Sequence, residues 1–421
     1  MIRTATKKDI DGLLYVSSAA FNQDLKKGSK KWSEKKADIS HELKQWRIML
    51  ENGRIIGAVH IKKDWLRIGK AKILKGDVGG VCIHPEMQGK GLGTLILEDT
   101  IKWMNKCDYD LSRLGGLCKY YSRFGYKRFS RRYFEFNVGT VARAGASRII
   151  EGAVPIAKEC LAKIRPFHSA KDHASALVLS ENFNSLYNGS RVLSAEEKKQ
   201  PAQCKKRDPL NLVYEENGKI IGHIQTTESE DEISDFEARI RIHLHGYDPQ
   251  KPYVIQALLA HINNYAFKKG IKRMTARMPF DSSIIQALTE LPLRFKTIET
   301  YGGISSNMLQ IVNLHSIFSR MKPELEQRLQ KSMASNWEGS LSLGIGKESV
   351  FLIIDKGNIS ISKNENSDAN IKLHETDMLR LVLGLSSFSE LNVQKDKKAP
   401  EANTLLSILF PRKAASSVNW C

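Results

Sequence analysis

The run from Val78 to Gly93 constrains this chain more than any other stretch. Val78 to Ile83 is short and apolar and reads as a strand. The chain then breaks at Pro85, crosses Gln88-Gly89-Lys90-Gly91-Leu92-Gly93, and enters an amphipathic helix with Leu97, Ile101 and Met104 on one face. A glycine loop that opens a helix offers backbone N–H groups with no intrahelical partner and the positive end of the helix dipole. Both suit a diphosphate. Glycine lets the backbone come close, and Lys90 adds a point charge. The composition alone also fits a plain turn. The glycines lack the Gly-x-Gly-x-x-Gly spacing of dinucleotide folds and the Gly-Lys-Ser/Thr ending of a P-loop.

A second landmark follows about thirty residues later. Asp110 to Gly116 reads as a strand, Lys119 to Phe124 as a short helix stopped by Gly125, and Lys127 to Asn137 as a final strand. Upstream, Ile2 to Ala5 is a strand, and a capped helix ends near Phe21. Trp46–Leu50 and Arg54–Ile61 form a hairpin about Asn52-Gly53. Residues 22–36 are polar and lysine-rich around Trp32, which reads as a small surface anchor or a substrate platform.

The hairpin recurs. Asn52-Gly53-Arg54-Ile55-Ile56-Gly57 returns as Asn217-Gly218-Lys219-Ile220-Ile221-Gly222, and Ile2-Arg3 as Ile164-Arg165, in matching order. Two landmarks in one order favour a duplicated domain. Where the second copy should hold its loop it has Tyr247-Asp248-Pro249-Gln250-Lys251-Pro252, two prolines and no glycine. That cannot present a row of N–H groups. From about Asn307 a charged helix precedes four short alternating segments (339–344, 349–354, 359–362, 369–373) and two helices (376–385, 402–409), an α+β pattern.

The 421 residues suggest two to three domains, and no window approaches eighteen apolar residues. With no signal-peptide core and six scattered cysteines, a reduced cytoplasmic protein without a membrane span is expected. The net charge of +19 suits nucleic acid, an anionic membrane or an anionic cofactor. No nucleic-acid motif accompanies it, so a generally basic solvated surface is the plainer reading.

Gln88, Gly91 and Gly93 fill the Gln/Arg-x-x-Gly-x-Gly/Ala pattern, and Tyr121 to Tyr126 the Tyr-x-x-x-Gly-Tyr/Phe run, of the GNAT superfamily of N-acetyltransferases. The last third resembles the sterol-carrier-protein fold by element order. Taken whole, the chain resembles the enhanced intracellular survival family. That likeness implies a mixed α/β and α+β chain: an acetyl-CoA-binding catalytic GNAT domain at 1–145, a degenerate GNAT-like copy at 146–303, and a sterol-carrier-like domain at 304–421 whose tail reaches the active site.

The resemblance further implies acetyl-CoA as co-substrate, held by Val81, Cys82, Ile83, Gln88, Gly89, Lys90, Gly91, Leu92, Gly93 and Thr94. It implies Tyr121 as general acid and the terminal carboxylate on Cys421 as general base, with Phe21, Asp24 and Trp32 near the amine pocket. The substrate is then an aminoglycoside, polyamine or lysine amine, and the assembly a homo-oligomer, a hexamer. The sequence departs from the family twice. It ends in Cys421 where relatives end in Phe, and Gly116-Leu117 replaces a small polar residue, so that Gly116 stands as the cofactor contact there.

Other readings stay open. His84 is a second candidate base. The acidic run from Glu228 to Glu237 is a solvated hairpin tip or a negative rim that draws in a polyamine. A lipid-binding protein with a vestigial GNAT part and a nucleic-acid or ribosome partner are the rivals from other classes.

Overall fold

A computed structural model of the chain describes residues 1–23, 28–144, 148–199, 210–230, 238–363, 366–391 and 400–416. The chain begins with β1 (Ile2–Thr4), α1 (Ile10–Ala20), α2 (Lys30–His41), β2 (Trp46–Glu51), β3 (Arg54–Ile68) and β4 (Ala71–Ile83). It continues with α3 (Leu92–Lys106), β5 (Leu111–Leu117), the one-turn α4 (Cys118–Tyr121), β6 (Lys127–Arg128) and β7 (Arg131–Asn137). Asn52 and Gly53 both take positive φ (48° and 77°), the geometry a tight hairpin needs. The polar 22–36 stretch contains more order than its composition suggests. Ser29 accepts a bond from Trp32 N and starts α2, whose Ile39 is buried against α1.

The two sheets match one another in local detail. β1 pairs with β2, and the strand Ile164–Pro166 pairs with Asn211–Glu216 in the same way. Arg3 grips Asp9 through both terminal nitrogens at 2.7 and 2.8 Å, while Thr6 N donates to the same carboxylate. Arg165 grips Asp172 at 2.6 and 2.9 Å, and His168 N plays the part of Thr6. The short Ile-Arg echo therefore marks a whole strand, helix-start and ion-pair unit.

The expected final strand, Lys127–Asn137, breaks in two. β6 lies at the edge of the first sheet, but β7 crosses into the second, between Arg273–Ala276 and Phe295–Thr300. The vacancy in the first sheet is filled by Ser305–Ile311, which lies between β5 and β6. So the divisions 1–145, 146–303 and 304–421 partition the sequence, while both large sheets draw strands from across them. Arg191–Val192 adds a further tie, pairing with Trp65 and Leu66 of β3.

The last part follows the expected order: a helix Leu314–Gln330, a four-stranded sheet, and helices Glu375–Leu383 and Pro400–Leu409. Its core is continuous with Leu66, Ile68 and Ile73 of the β3–β4 hairpin. Glu324 fixes this junction, accepting from Lys70 N at 2.8 Å and from Arg328 at 2.8 Å. No helix among the described residues is long and apolar enough to cross a membrane.

Candidate active site

β4 and β5 run parallel and share bonds only where Lys75, Gly76 and Asp77 face Leu111, Ser112 and Arg113. Beyond Asp77 they part. β5 stays bonded to Ser305–Ile311 along its length and β4 to β3, so a wedge opens between them. A bulge sharpens it. Ala58 faces Cys82 but His60 faces Gly79, so Gly80 and Val81 stand opposite Val59 alone, and Gly80 takes φ 56°.

The glycine loop closes one end of the wedge. Gln88 ties it to the strand, its Nε2 donating to Ile83 O at 3.1 Å. Gly89 and Gly91 have φ near 78° and 76°, and a Cβ at either would meet nothing within 4 Å. The need for glycine there lies in the backbone conformation and the open space above it. The first donor after Gln88 to find a backbone acceptor is Thr94, bonded to Gly91 O at 3.0 Å. The N–H groups from Gly89 to Gly93 thus remain for a ligand at the start of the fifteen-residue α3. Gly93 is required differently, since a Cβ would stand 2.8 Å from Tyr120 Oη.

Lys90 is exposed at this mouth, its Nζ 3.5 Å from Met87 Sδ. Arg123, which sequence reasoning passed over, lies over the Tyr120 ring and reaches Thr94 Oγ1 at 3.4 Å. The loop therefore fits an anionic diphosphate. Of the strand residues expected at the cofactor, Val81 and Ile83 pack on the α3 side. Cys82 is buried on the α1 side, and burial pushes its thiol up to about 11, which leaves that segment only its backbone to offer.

Tyr121 ends α4, and its ring rests on Gly116: a Cβ there would lie 2.3 Å from Tyr121 Cε2. Gly116 thus serves as the seat of the tyrosine. The ring meets Tyr120 edge-on at 5.0 Å and Tyr126 at 6.2 Å. Burial, then the neighbouring Tyr120, raises the Tyr121 hydroxyl above its ordinary pKa, so it carries its proton at neutral pH. Tyr126 is fully buried with its hydroxyl 2.6 Å from Ser112 Oγ, out of reach of any substrate.

The sequence singled out no internal carboxylate, yet Asp77 stands where the strands part. Lys75 Nζ pairs with its Oδ2 at 2.9 Å, while its buried Oδ1 has no donor among the described residues. Burial raises this carboxyl above the usual range against the opposing pull of Lys75 and Arg113. Lys75, only 2% exposed, also faces Asp64 at 3.8 Å, and Arg191 donates to Asp64 at 2.7 Å. In one dimension Lys75-Gly76-Asp77 looks like a solvated strand face, which hid it. His84 fits a base poorly, because its Nε2 lies 3.2 Å from Arg54, a guanidinium that can only donate.

Phe21 is 48% exposed at the end of α1, and Trp32 lies half-buried under Lys36. The ring that faces the bulge is Trp46, 3.4 Å from where a Gly80 Cβ would be and 4.6 Å from His60. Asp24, Cys421 and the core of the acidic run at 231–237 lie outside the described residues. In the second copy, Glu216 meets the start of the helix Pro252–Lys268. It takes bonds from Lys251 and Lys163 at 2.6 Å and from Tyr253 at 3.0 Å.

Residues 1–129 match the family profile described as the acetyltransferase (GNAT) domain. The protein is an acetyl-CoA-dependent acyltransferase. No curated protein matches the chain by sequence. Among solved structures, a GCN5-related N-acetyltransferase from Kribbella flavida is similar over 99% of this chain and 96% of its own, at 15% identity and TM-score 0.66. A probable N-acyltransferase from Enterococcus faecalis V583 is similar over 99% and 98%, at 14% and TM-score 0.64. Eis1 from Mycobacterium abscessus is similar over the full length of both chains, at 13% and TM-score 0.59. At these identities the likeness is one of fold.

Proposed function

We infer that this acyltransferase moves an acetyl group directly from acetyl-CoA to a primary amine, in the manner of the enhanced intracellular survival acetyltransferases. The full-length likeness to Eis1 supports the family reading. The observation that carries the mechanism is the wedge, with the glycine loop at one end, Tyr121 seated on Gly116, and the half-partnered Asp77 where β4 and β5 separate.

Acetyl-CoA supplies a thioester, a carbonyl carbon bearing a thiolate leaving group. The N–H groups of Gly89 to Gly93, with Lys90 and Arg123, hold the diphosphate, and the Val81–Ile83 backbone lies along the pantetheine arm. Tyr121 holds a proton at Oη for the departing sulfur. An amine attacks only when neutral, so its proton must leave, and Asp77 Oδ1 accepts it directly or through water. A raised carboxyl pKa brings this base nearer the working pH.

The substrate class proposed is an aminoglycoside, a polyamine or a lysine side chain, and the assembly a homo-oligomer, a hexamer. Released thiol measured across these three amine classes tests the function. Turnover on one or more is expected, and none on any, with acetyl-CoA bound, would overturn it. Light scattering that gives the mass of a single chain would remove the oligomer.

A further inference from the structure

A cavity of about 470 Å³ opens far along the chain from the glycine loop, where β7, Phe295–Thr300, the start of the helix Ser282–Thr289 and residues 412–415 meet. None of its walls comes from the first sheet. Its volume falls within the roughly 300–1,000 Å³ of small-molecule sites.

Arg132 reaches this cavity from β7. One terminal nitrogen donates to Glu299 at 2.7 Å, and the guanidinium lies 5.6 Å from the centre of the Phe280 ring. Its Nε is buried and has no acceptor among the described residues. Leaving such a donor unpaired is unfavourable, and an oxygen from a ligand would relieve it.

The acids nearby are already served. Glu299 has Arg132 and lies 3.7 Å from Arg380, and Asp281 caps its helix through Ser283 N at 2.8 Å. At the rim, Arg412 and Lys413 pair with Glu390 and Glu324 at 2.9 and 3.4 Å. Arg412 and Glu390 are 63% and 39% exposed, a pair open enough to yield to a ligand, and Lys413, 42% exposed, can turn away because the buried Glu324 keeps Arg328. Phe280 and Leu385 supply an apolar wall.

We propose that this cavity binds a small organic anion. A phosphate or carboxylate oxygen accepts from Arg132 Nε and draws in Arg412 and Lys413, while an apolar body rests against Phe280 and Leu385. The site is separate from the cofactor loop and lies on the segment that leads to Ser416, which bonds Asn188 O at 2.8 Å.

Calorimetric titration of the full chain with phenyl phosphate and with benzoate tests the site and tells phosphate from carboxylate. The titrations use a Gly91→Val background, so that the glycine loop does not take up the phosphate, with benzyl alcohol as the neutral control. At least one anion should bind at one site, and benzyl alcohol should not. Arg132→Lys keeps a cation on Glu299 but removes Nε, and should weaken binding at least tenfold. Arg412→Ala, at the exposed rim, should weaken it two- to fivefold with folding unchanged. Binding of neither anion, or equal affinity in both variants, would overturn the proposal.

Discussion

Gly116 and Tyr121 form one unit, since no β-carbon fits between the strand and the ring. Gly116→Ala should therefore tilt the tyrosine off its seat and act on turnover much as Tyr121→Phe does. Loss of an acid–base group costs roughly 10²- to 10⁴-fold. Both variants should lose turnover on that scale with acetyl-CoA affinity nearly intact. Full activity in Tyr121→Phe would remove the hydroxyl from the mechanism. Full activity in Gly116→Ala would mean that the seat is softer than its geometry.

Gly91→Val meets no neighbour, so the fold should survive. At φ 76° a β-branched residue strains the backbone and covers the open approach to the N–H row. Cofactor affinity should fall at least tenfold by calorimetry. Unchanged affinity in a folded variant would place the diphosphate elsewhere.

Two carboxylates compete for the role of base. Asp77 stands at the apex of the wedge. The tail carboxylate remains the rival because Ser416 is held on Asn188, and Asn188 Oδ1 accepts from Gly69 N at 2.9 Å, against the catalytic sheet. If Asp77 acts, turnover rises with pH through its raised pKa, and Asp77→Asn abolishes that limb while a one-glycine extension after Cys421 does little. If the tail acts, the extension removes turnover and Asp77→Asn leaves the pH profile in place.

Acid should loosen the second sheet before the first. His223 stacks on His245 at 4.3 Å and on Phe167 at 4.7 Å, each histidine facing an amide oxygen, Asn211 or Gln225. Burial, then the neighbouring imidazoles, lowers them to about 3 and about 4. A depressed histidine is neutral when folded, so its contribution is complete above the unfolded pKa and is lost as pH falls from about 6.5 toward the folded value. Each should cost about 2 kcal/mol by about pH 5. Thermal denaturation of His223→Gln should show a shallower loss between pH 7 and pH 5, and an identical slope would exclude this source.

The local features of the fold were legible and the crossings were not. Asn-Gly pairs, the glycine loop, Gly125 and the last four strands are written in short windows whose chemistry admits few conformations. Which sheet a strand joins is a different matter. β7 and Ser305–Ile311 alternate as any half-buried strand does, and their partners lie more than a hundred residues away. Asp77 escaped notice for a related reason. Its significance comes from Lys75, Arg113 and the end of a parallel pairing, none of which a charge in a strand announces.

A fragment of residues 1–145 should fail to fold alone, because β5 would lose the neighbour that flanks it from Leu111 to Leu117. Adding the missing strand back as a separate peptide should restore little, since Leu309 and Ile311 also depend on the core formed by the last part of the chain. A cooperative, native-like melt from that fragment would contradict the exchange.

The exchanged strand also sets a timetable during synthesis. Every residue of the glycine loop and the Tyr121 seat is made well before Ser305–Ile311, yet the sheet that aligns them is incomplete until Ile311 has been made. While the ribosome travels from Tyr126 to Ile311, the nascent enzyme has its chemistry in hand and an open seam beside β5. Competence arrives late, and nearly at once, when one short strand closes both halves.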